Sequence, residues 1–212
     1  MEKNMFKITS RYDKDIVLKV TPGHFATTQS HVTHHLDLAT MKSRYSEAQR
    51  IAQALAQEYE SSTPVDTIVC LDGLDVVGAL LAQSLTKAGI LSMNAHKTMY
   101  VIHPEFKGDM MMFRDNMQPM IKNKNIVILI GTITTGTTLG SAIQCIRYYD
   151  GILQGVSAIF SEISKIGSIN VNALFTGKDL PGYESYKPGD CPYCQRGEKI
   201  MAIVNSHGYS KM

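Results

Sequence analysis

Ile126-Val-Ile-Leu-Ile-Gly-Thr-Ile-Thr-Thr-Gly-Thr-Thr-Leu-Gly140 is the stretch on which the reading of this chain turns. Ile126 to Ile130 is short, apolar and β-branched, the composition of a strand buried on both faces. Four threonines (Thr134, Thr135, Thr137, Thr138) then flank Gly136, and a helical pattern runs from about Thr137 to Tyr149, closed by Asp150-Gly151. A strand that turns into a helix in this way leaves unpaired N–H groups and the positive end of the helix dipole at the turn. Glycine lets an anion approach the backbone, and each threonine hydroxyl can donate a hydrogen bond. The stretch therefore predicts a phosphate cradle, with a threonine-rich helix cap that holds no ligand as the plainer alternative. No lysine follows Gly136, which excludes the nucleoside triphosphate P-loop.

Working outward, strands alternate with helices. Met41 to Glu60 carries one apolar stripe (Met41, Tyr45, Ala48, Ile51, Ala52, Leu55, Ala56, Tyr59) at helical spacing. Asp66 to Leu71 reads as a buried strand, Asp72-Gly73 as a turn, and Asp75 as the cap of a helix that runs to about Ala88 and stops at Gly89. Further strands are predicted at Lys97 to Ile102, Leu153 to Ser161 and Val171 to Phe175. His103 to Lys124, with Pro104, Gly108, Pro119 and five methionines, reads as a long, partly mobile loop or a short hairpin. Its methionines suit an adaptable apolar surface or, the favoured reading, packing against a dimer partner. This alternation predicts an α/β fold with a mostly parallel central sheet and helices on both faces, where ligands bind beyond the carboxyl ends of the strands. Residues 1–40 form a small N-terminal segment, 41–180 the α/β core, and 181–212 an irregular tail packed on it.

Composition bounds the function. The chain has 212 residues, 44% of them hydrophobic and 19% charged, with a formal net charge of +2. That is ordinary for a globular protein and too balanced to indicate nucleic acid as a partner. No apolar run approaches the roughly 20 residues of a spanning helix, and the first residues lack a signal-peptide core. A cytoplasmic location is expected, with the four cysteines reduced or acting as ligands.

Thr-Thr-Gly-Thr-Thr between a strand and a helix resembles the signature of the type I phosphoribosyltransferases. The resemblance extends to Leu71-Asp72-Gly73-Leu74, which matches the strand and loop that hold pyrophosphate. The endings Leu174 to Leu180 and Asp190-Cys-Pro-Tyr-Cys-Gln-Arg-Gly197 are similar to the close of many orotate phosphoribosyltransferases. It implies that Thr134 to Thr138 hold the 5-phosphate of phosphoribosyl pyrophosphate and that Mg²⁺ accompanies the diphosphate. It also implies a homodimer and transfer of phosphoribose to a small base, orotate. Residues 1–40 then become a hood over the base, where a histidine can meet a substrate carboxylate.

Two departures stand out. The family's loop begins with two adjacent acids at the positions of Ile130 and Gly131, and the ribose-facing charge is lost with them. The mobile loop, which in the family carries arginine and lysine, offers only His103, Lys107 and, further on, Arg114 as candidate catalytic cations. The loop thus supports phosphate binding more strongly than catalysis, and a non-catalytic protein that binds phosphoribosyl pyrophosphate or a nucleotide is the alternative. Asp72 and Glu105 are the acids that could replace the missing pair. Asp72 could also hold water on Mg²⁺.

Cys191-Pro-Tyr-Cys194 has the spacing of a metal half-site, and His207 offers a third ligand. A structural Zn²⁺ wants four, so a tight turn with two reduced thiols is favoured over the metal. His24, His31, His34 and His35 cluster near the N-terminus. His31 and His35 have the spacing of a helical metal pair, but the surrounding Thr and Ser argue against a helix. Solvated surface histidines are the favoured reading.

Overall fold

The computed structural model describes residues 4–60, 62–89, 92–108, 110–206 and 208–212. The chain forms β1 (Phe6–Thr9), β2 (Val17–Ala26), β3 (His31–Asp37), α1 (Ala39–Ser43), α2 (Tyr45–Ala56), β4 (Thr67–Cys70) and α3 (Asp75–Thr86). There follow β5 (Tyr100–Ile102), β6 (Glu105–Lys107), β7 (Met110–Met112), β8 (Asn125–Ile133), α4 (Thr137–Tyr148), β9 (Ile152–Ser161), β10 (Lys165–Ile166) and β11 (Ile169–Thr176). The last elements are β12 (Ser185–Tyr186), α5 (Pro192–Gln195), β13 (Ala202–Asn205) and β14 (Gly208–Lys211).

The core sheet has the order β10-β11-β9-β8-β4-β5, and every pairing except β10 with β11 is parallel. Strand β8 lies inside it, and its side chains go alternately to two faces. Val127 and Leu129 join the cluster that holds Ile51, Leu55, Leu81 and Leu85 of α2 and α3. Ile126, Ile128 and Ile130 join the cluster that holds Leu139, Ile143 and Ile146 of α4. The predicted α/β class, with helices on both faces, is what the chain adopts.

Several elements differ from the sequence reading. The stripe over Met41 to Glu60 is two helices, because Arg44 is extended (φ −84°, ψ 119°) and caps α2 instead of continuing α1. Tyr45 starts the second helix and is exposed, while the rest of the stripe is buried. Asp75 does not cap α3. Leu74 takes the cap position, fully buried, and Asp75 stands one residue inside the helix, where its carboxylate meets His103. The methionine-rich segment is the short hairpin β6–β7, after which Phe113 and Ile121 enter the core with Met117 and Met120 packed beside them.

The N-terminal strands make a second sheet, the hood, with the order β12-β3-β2-β13-β14 and β1 also paired to β2. The C-terminal segment is thus not an irregular extension. It returns to the hood as β12 beside β3, as β13 parallel to β2 (Ala202 opposite Phe25), and as the β13–β14 hairpin. The signal was weak because these strands are short and the hood partners of β12 and β13 lie more than 150 residues away. Among the described residues no helix is long and apolar enough to cross a membrane.

Candidate active site

Between the carboxyl ends of β4 and β8 and the hood lies a cleft of about 360 Å³, within the roughly 300–1,000 Å³ range of ligand pockets. The core contributes Asp72, Thr132 and the whole loop Thr134 to Thr138 to its wall. The hood contributes His34 and His35, and Lys42 stands at the join.

The loop has the geometry its sequence predicts. Gly136 is the N-cap of α4 and sits in the left-handed region (φ 80°), where a side chain is strained. No side chain caps the helix, and the Thr137 N–H reaches only a long 3.5 Å contact with Thr135 Oγ1. The Thr135 and Thr137 hydroxyls lie 2.9 Å apart at the mouth of the turn. The helix therefore presents N–H donors, hydroxyls and its positive dipole end to the cleft, an arrangement suited to an anion.

At the end of β4, Asp72 (φ 58°) and Gly73 (φ 71°) both adopt left-handed conformations and turn the chain sharply. Leu71 and Leu74 flanking this turn are buried in the core. Asp72 and Gly73 alone of the four predicted pyrophosphate residues are therefore open to a ligand. The Asp72 carboxylate accepts a hydrogen bond from the Gly131 N–H (3.0 Å) and a longer one from Thr132 N (3.5 Å).

That contact explains what fills the place of the acidic pair. The Ile130 side chain, 1% exposed, belongs to the apolar core on the α4 side. Gly131 leaves room for Asp72: a Cβ at 131 would stand 3.1 Å from Asp72 Oδ2 and 3.2 Å from Leu38 Cδ1. A carboxylate thus does stand beside position 131, delivered by the neighbouring strand's turn. Glu105, the other acid considered as a replacement, is instead paired with Arg114 on the β6–β7 hairpin.

Lys42 was not legible as a site residue, since a lysine early in an amphipathic helix is ordinary. The break at Arg44 ends its helix after one turn. Its ammonium donates to the carbonyls of Asp72 (2.8 Å) and Ser206, joining core to hood. Burial lowers its pKa, partly offset by Asp72 and Asp37.

The expectation of solvated surface histidines is not met. His24, His31 and His35 are all buried. They lie on strands β2 and β3, where the hood packs them against aromatic rings. His35 lies between Phe25 and Tyr209, and burial lowers its pKa, with Asp37 acting the other way. His34 stacks on Tyr183 and is likewise lowered by burial.

The candidate cations are placed apart from the cleft. His103 lies 2.8 Å from Asp75, and Arg114 pairs with Glu105 at 2.6 Å. Lys107 is exposed on β6. Cys191 and Cys194 come together, but with His24 and His31. The ligand atoms of these four residues all lie within 4.8 Å of one another. His207, the third ligand expected from sequence, lies outside the described residues.

No family model matches the chain. It is 23% identical over 178 residues to the orotate phosphoribosyltransferase of Desulforamulus reducens, a match covering 82% of this chain and 84% of that one. Among solved structures it is similar to Leishmania donovani UMP synthase (TM-score 0.56, 13% identity), with 84% of this chain covered but only 36% of that longer one. It is also similar to Mycobacterium tuberculosis orotate phosphoribosyltransferase solved with Fe(III) dicitrate (TM-score 0.52, 14% identity, 77% and 93% covered). The fold is that of the type I phosphoribosyltransferases. The orotate-type resemblance read from the sequence is supported by the curated relative. The adenine phosphoribosyltransferase of Thermoanaerobacter pseudethanolicus has the same phosphoribosyltransferase fold (TM-score 0.50, 13% identity, 82% and 96% covered), so the fold by itself does not select the base.

Proposed function

We propose that this protein transfers phosphoribose from phosphoribosyl pyrophosphate to orotate and releases pyrophosphate. The observation that carries the proposal is the uncapped N-terminus of α4, which opens with its threonine loop into a cleft walled by the hood. Thr134, Thr135, Gly136, Thr137 and Thr138 hold the 5-phosphate. Asp72 and Gly73, at the turn between Leu71 and Leu74, face the diphosphate. A base nitrogen under the hood attacks the anomeric carbon as the bond to diphosphate breaks, and positive charge develops on the ribose.

The carboxylate beside Gly131, that of Asp72, is the group placed to stabilise that charge. Mg²⁺ suits this scheme as a passenger on the diphosphate. Among the described residues the cleft offers it only Asp37 and Asp72, and Asp72 is already engaged with backbone N–H groups. Such ions usually keep several waters and bind through substrate phosphates plus one or two carboxylates. Lys42 holds the Asp72 turn in register with the hood. The active species on this reading is a homodimer, with sedimentation equilibrium as its check.

A second reading is favoured by the burial of Ile130 and the bare Gly131: a protein that binds phosphoribosyl pyrophosphate or a nucleotide without turning it over. One experiment separates the two. Orotidine monophosphate formation is measured with orotate, and product formation with adenine or uracil, alongside thermal stabilisation by phosphoribosyl pyrophosphate. Turnover with orotate supports the first reading; stabilisation without turnover of any base supports the second. Asp72→Asn sharpens the assay. Asn retains an oxygen for the Gly131 N–H but lacks the charge, so kcat should fall at least tenfold while phosphoribosyl pyrophosphate still stabilises the fold. Unchanged kcat removes Asp72 from the chemistry.

A further inference from the structure

Away from the cleft, four donor atoms converge with no role in the proposed chemistry. His24 stands on β2, His31 on β3, and Cys191 and Cys194 bracket the first turn of α5. His24 Nε2 lies 3.1 Å from His31 Nδ1, 3.5 Å from Cys191 Sγ and 3.6 Å from Cys194 Sγ, and Cys194 Sγ lies 3.2 Å from His31 Nδ1. A tetrahedral ion with Zn–N bonds of about 2.0 Å and Zn–S bonds of about 2.3 Å sets its ligand atoms roughly 3.3 to 3.8 Å apart. The separations found are close to those edges.

The surroundings are organised in the same sense. His24 Nδ1 lies 3.0 Å from the Glu198 carbonyl oxygen. A proton on Nδ1 donates to that oxygen and leaves the Nε2 lone pair facing the two sulfurs, which is the usual outer contact of a metal-bound imidazole. The Tyr193 ring stacks on His24 with centroids 5.3 Å apart, and the Arg196 guanidinium covers Tyr193 at 4.8 Å. His24, His31 and Cys191 are buried, whereas Cys194 is exposed. Four donors of two soft and two borderline kinds in one small space suit Zn²⁺. Two thiolates also balance the ion's charge.

We propose that His24, His31, Cys191 and Cys194 form a structural zinc site that fastens the C-terminal segment to the hood. A closed set of four protein ligands leaves no position for a reactive water, so the ion is structural and not catalytic. Its leverage is topological. It ties the β2–β3 hairpin to the segment between β12 and β13, so both chain ends are held in the sheet that covers the cleft. This assignment is independent of the reading of the cleft.

The test uses the full chain, expressed without a polyhistidine tag and purified without chelator under reducing conditions. Elemental analysis should give one zinc per chain. X-ray absorption should show two sulfur ligands near 2.3 Å and two nitrogen ligands near 2.0 Å. Replacing the ion with Co²⁺ should produce thiolate charge-transfer and tetrahedral bands in the wild-type protein, which needs no variant to fold. Cys194→Ser changes the exposed ligand and should lose stoichiometric metal. A chelator should lower Tm in the wild type and not in Cys194→Ser. Less than about a tenth of an equivalent of metal after reconstitution with zinc, or a Cys191–Cys194 disulfide in protein handled without oxygen, would overturn the proposal.

Discussion

The core sheet and the hood sheet differ in what holds them together. In the core, β4, β8 and β9 bury almost unbroken runs of Ile, Val, Leu, Phe and Ala between helices. In the hood, the buried set mixes Leu18, Val20 and Phe25 with Thr21, His24, Ser30, His31, Thr33 and His35. Burying such groups is tolerable only where each finds a partner. Several of the hood's groups meet that condition through specific contacts: the Thr33 hydroxyl donates to the Gly182 carbonyl, Glu184 N–H donates to Thr33 Oγ1, and the histidines meet carbonyls, rings and sulfur, whereas Ser185 Oγ on β12 is buried without a hydrogen-bond partner among the described residues. A sheet stabilised by area is robust and unspecific, whereas one stabilised by partners depends on every partner being present. The hood is therefore the region where a metal, a ligand or a proton can change the structure.

The contrast can be broken from the core side first. Leu129→Ala removes a fully buried side chain from β8 and should cost about 2–5 kcal/mol. Denaturant unfolding measures it, and the loss should be the same with or without a chelator. A cost well under 1 kcal/mol would mean that the core is not the stable half. At the boundary between the regions, Gly136→Val places a β-branched residue at φ 80° with its Cβ about 3.1 Å from Ile163. Affinity for phosphoribosyl pyrophosphate should fall at least tenfold by calorimetry, with the far-ultraviolet circular dichroism retained. Undiminished affinity would falsify the placement of the phosphate at this loop.

Smaller effects sharpen the comparison. The core has polar contacts too, and Tyr59 makes one: its hydroxyl lies 2.7 Å from Ser157 Oγ in the buried seam under β9. Tyr59→Phe should cost about 1 kcal/mol by thermal or chemical unfolding. A neutral result would show that Ser157 is satisfied by Asn172, whose amide lies 3.4 Å away. The smallest effect is the hood's response to pH. Burial holds His34 and His35 below the usual imidazole pKa of about 6.5, so the unfolded chain binds more protons as acid is added. Their contribution to stability is complete above that value and is lost as pH falls through their folded pKa values. Tm should therefore drop between about pH 6.5 and 5, and His35→Gln should flatten part of that slope. An identical slope in the variant removes His35 as a source.

How far the sequence could be read follows the same division. Strand β8, the glycine turn and α4 were legible because each is local: a β-branched run, a residue permissive of positive φ, and an amphipathic repeat. The hood strands were not, because β2 contains Pro22 and Gly23, and β3 carries His31, Thr33, His34, His35 and Asp37 with only Val32 and Leu36 apolar. Their periodicity is masked by polar groups that become buried only against partners from the far end of the chain. Asp75 as a cap was a fair local inference. It failed because the double left-handed turn at Asp72-Gly73 moves the helix start by one residue.

By itself, the sequence determined the threonine-rich turn between strand and helix, the parallel core and the absence of acids at Ile130 and Gly131. Each depends on short-range pattern or on the identity of a single residue. The tertiary structure alone decided three other things. Asp72 supplies a carboxylate beside Gly131 from a neighbouring strand, and Lys42 bridges core and hood. His24 and His31, from the far end of the chain, face Cys191 and Cys194. Each of these joins residues from 30 to 170 positions apart, and only chain topology sets such distances.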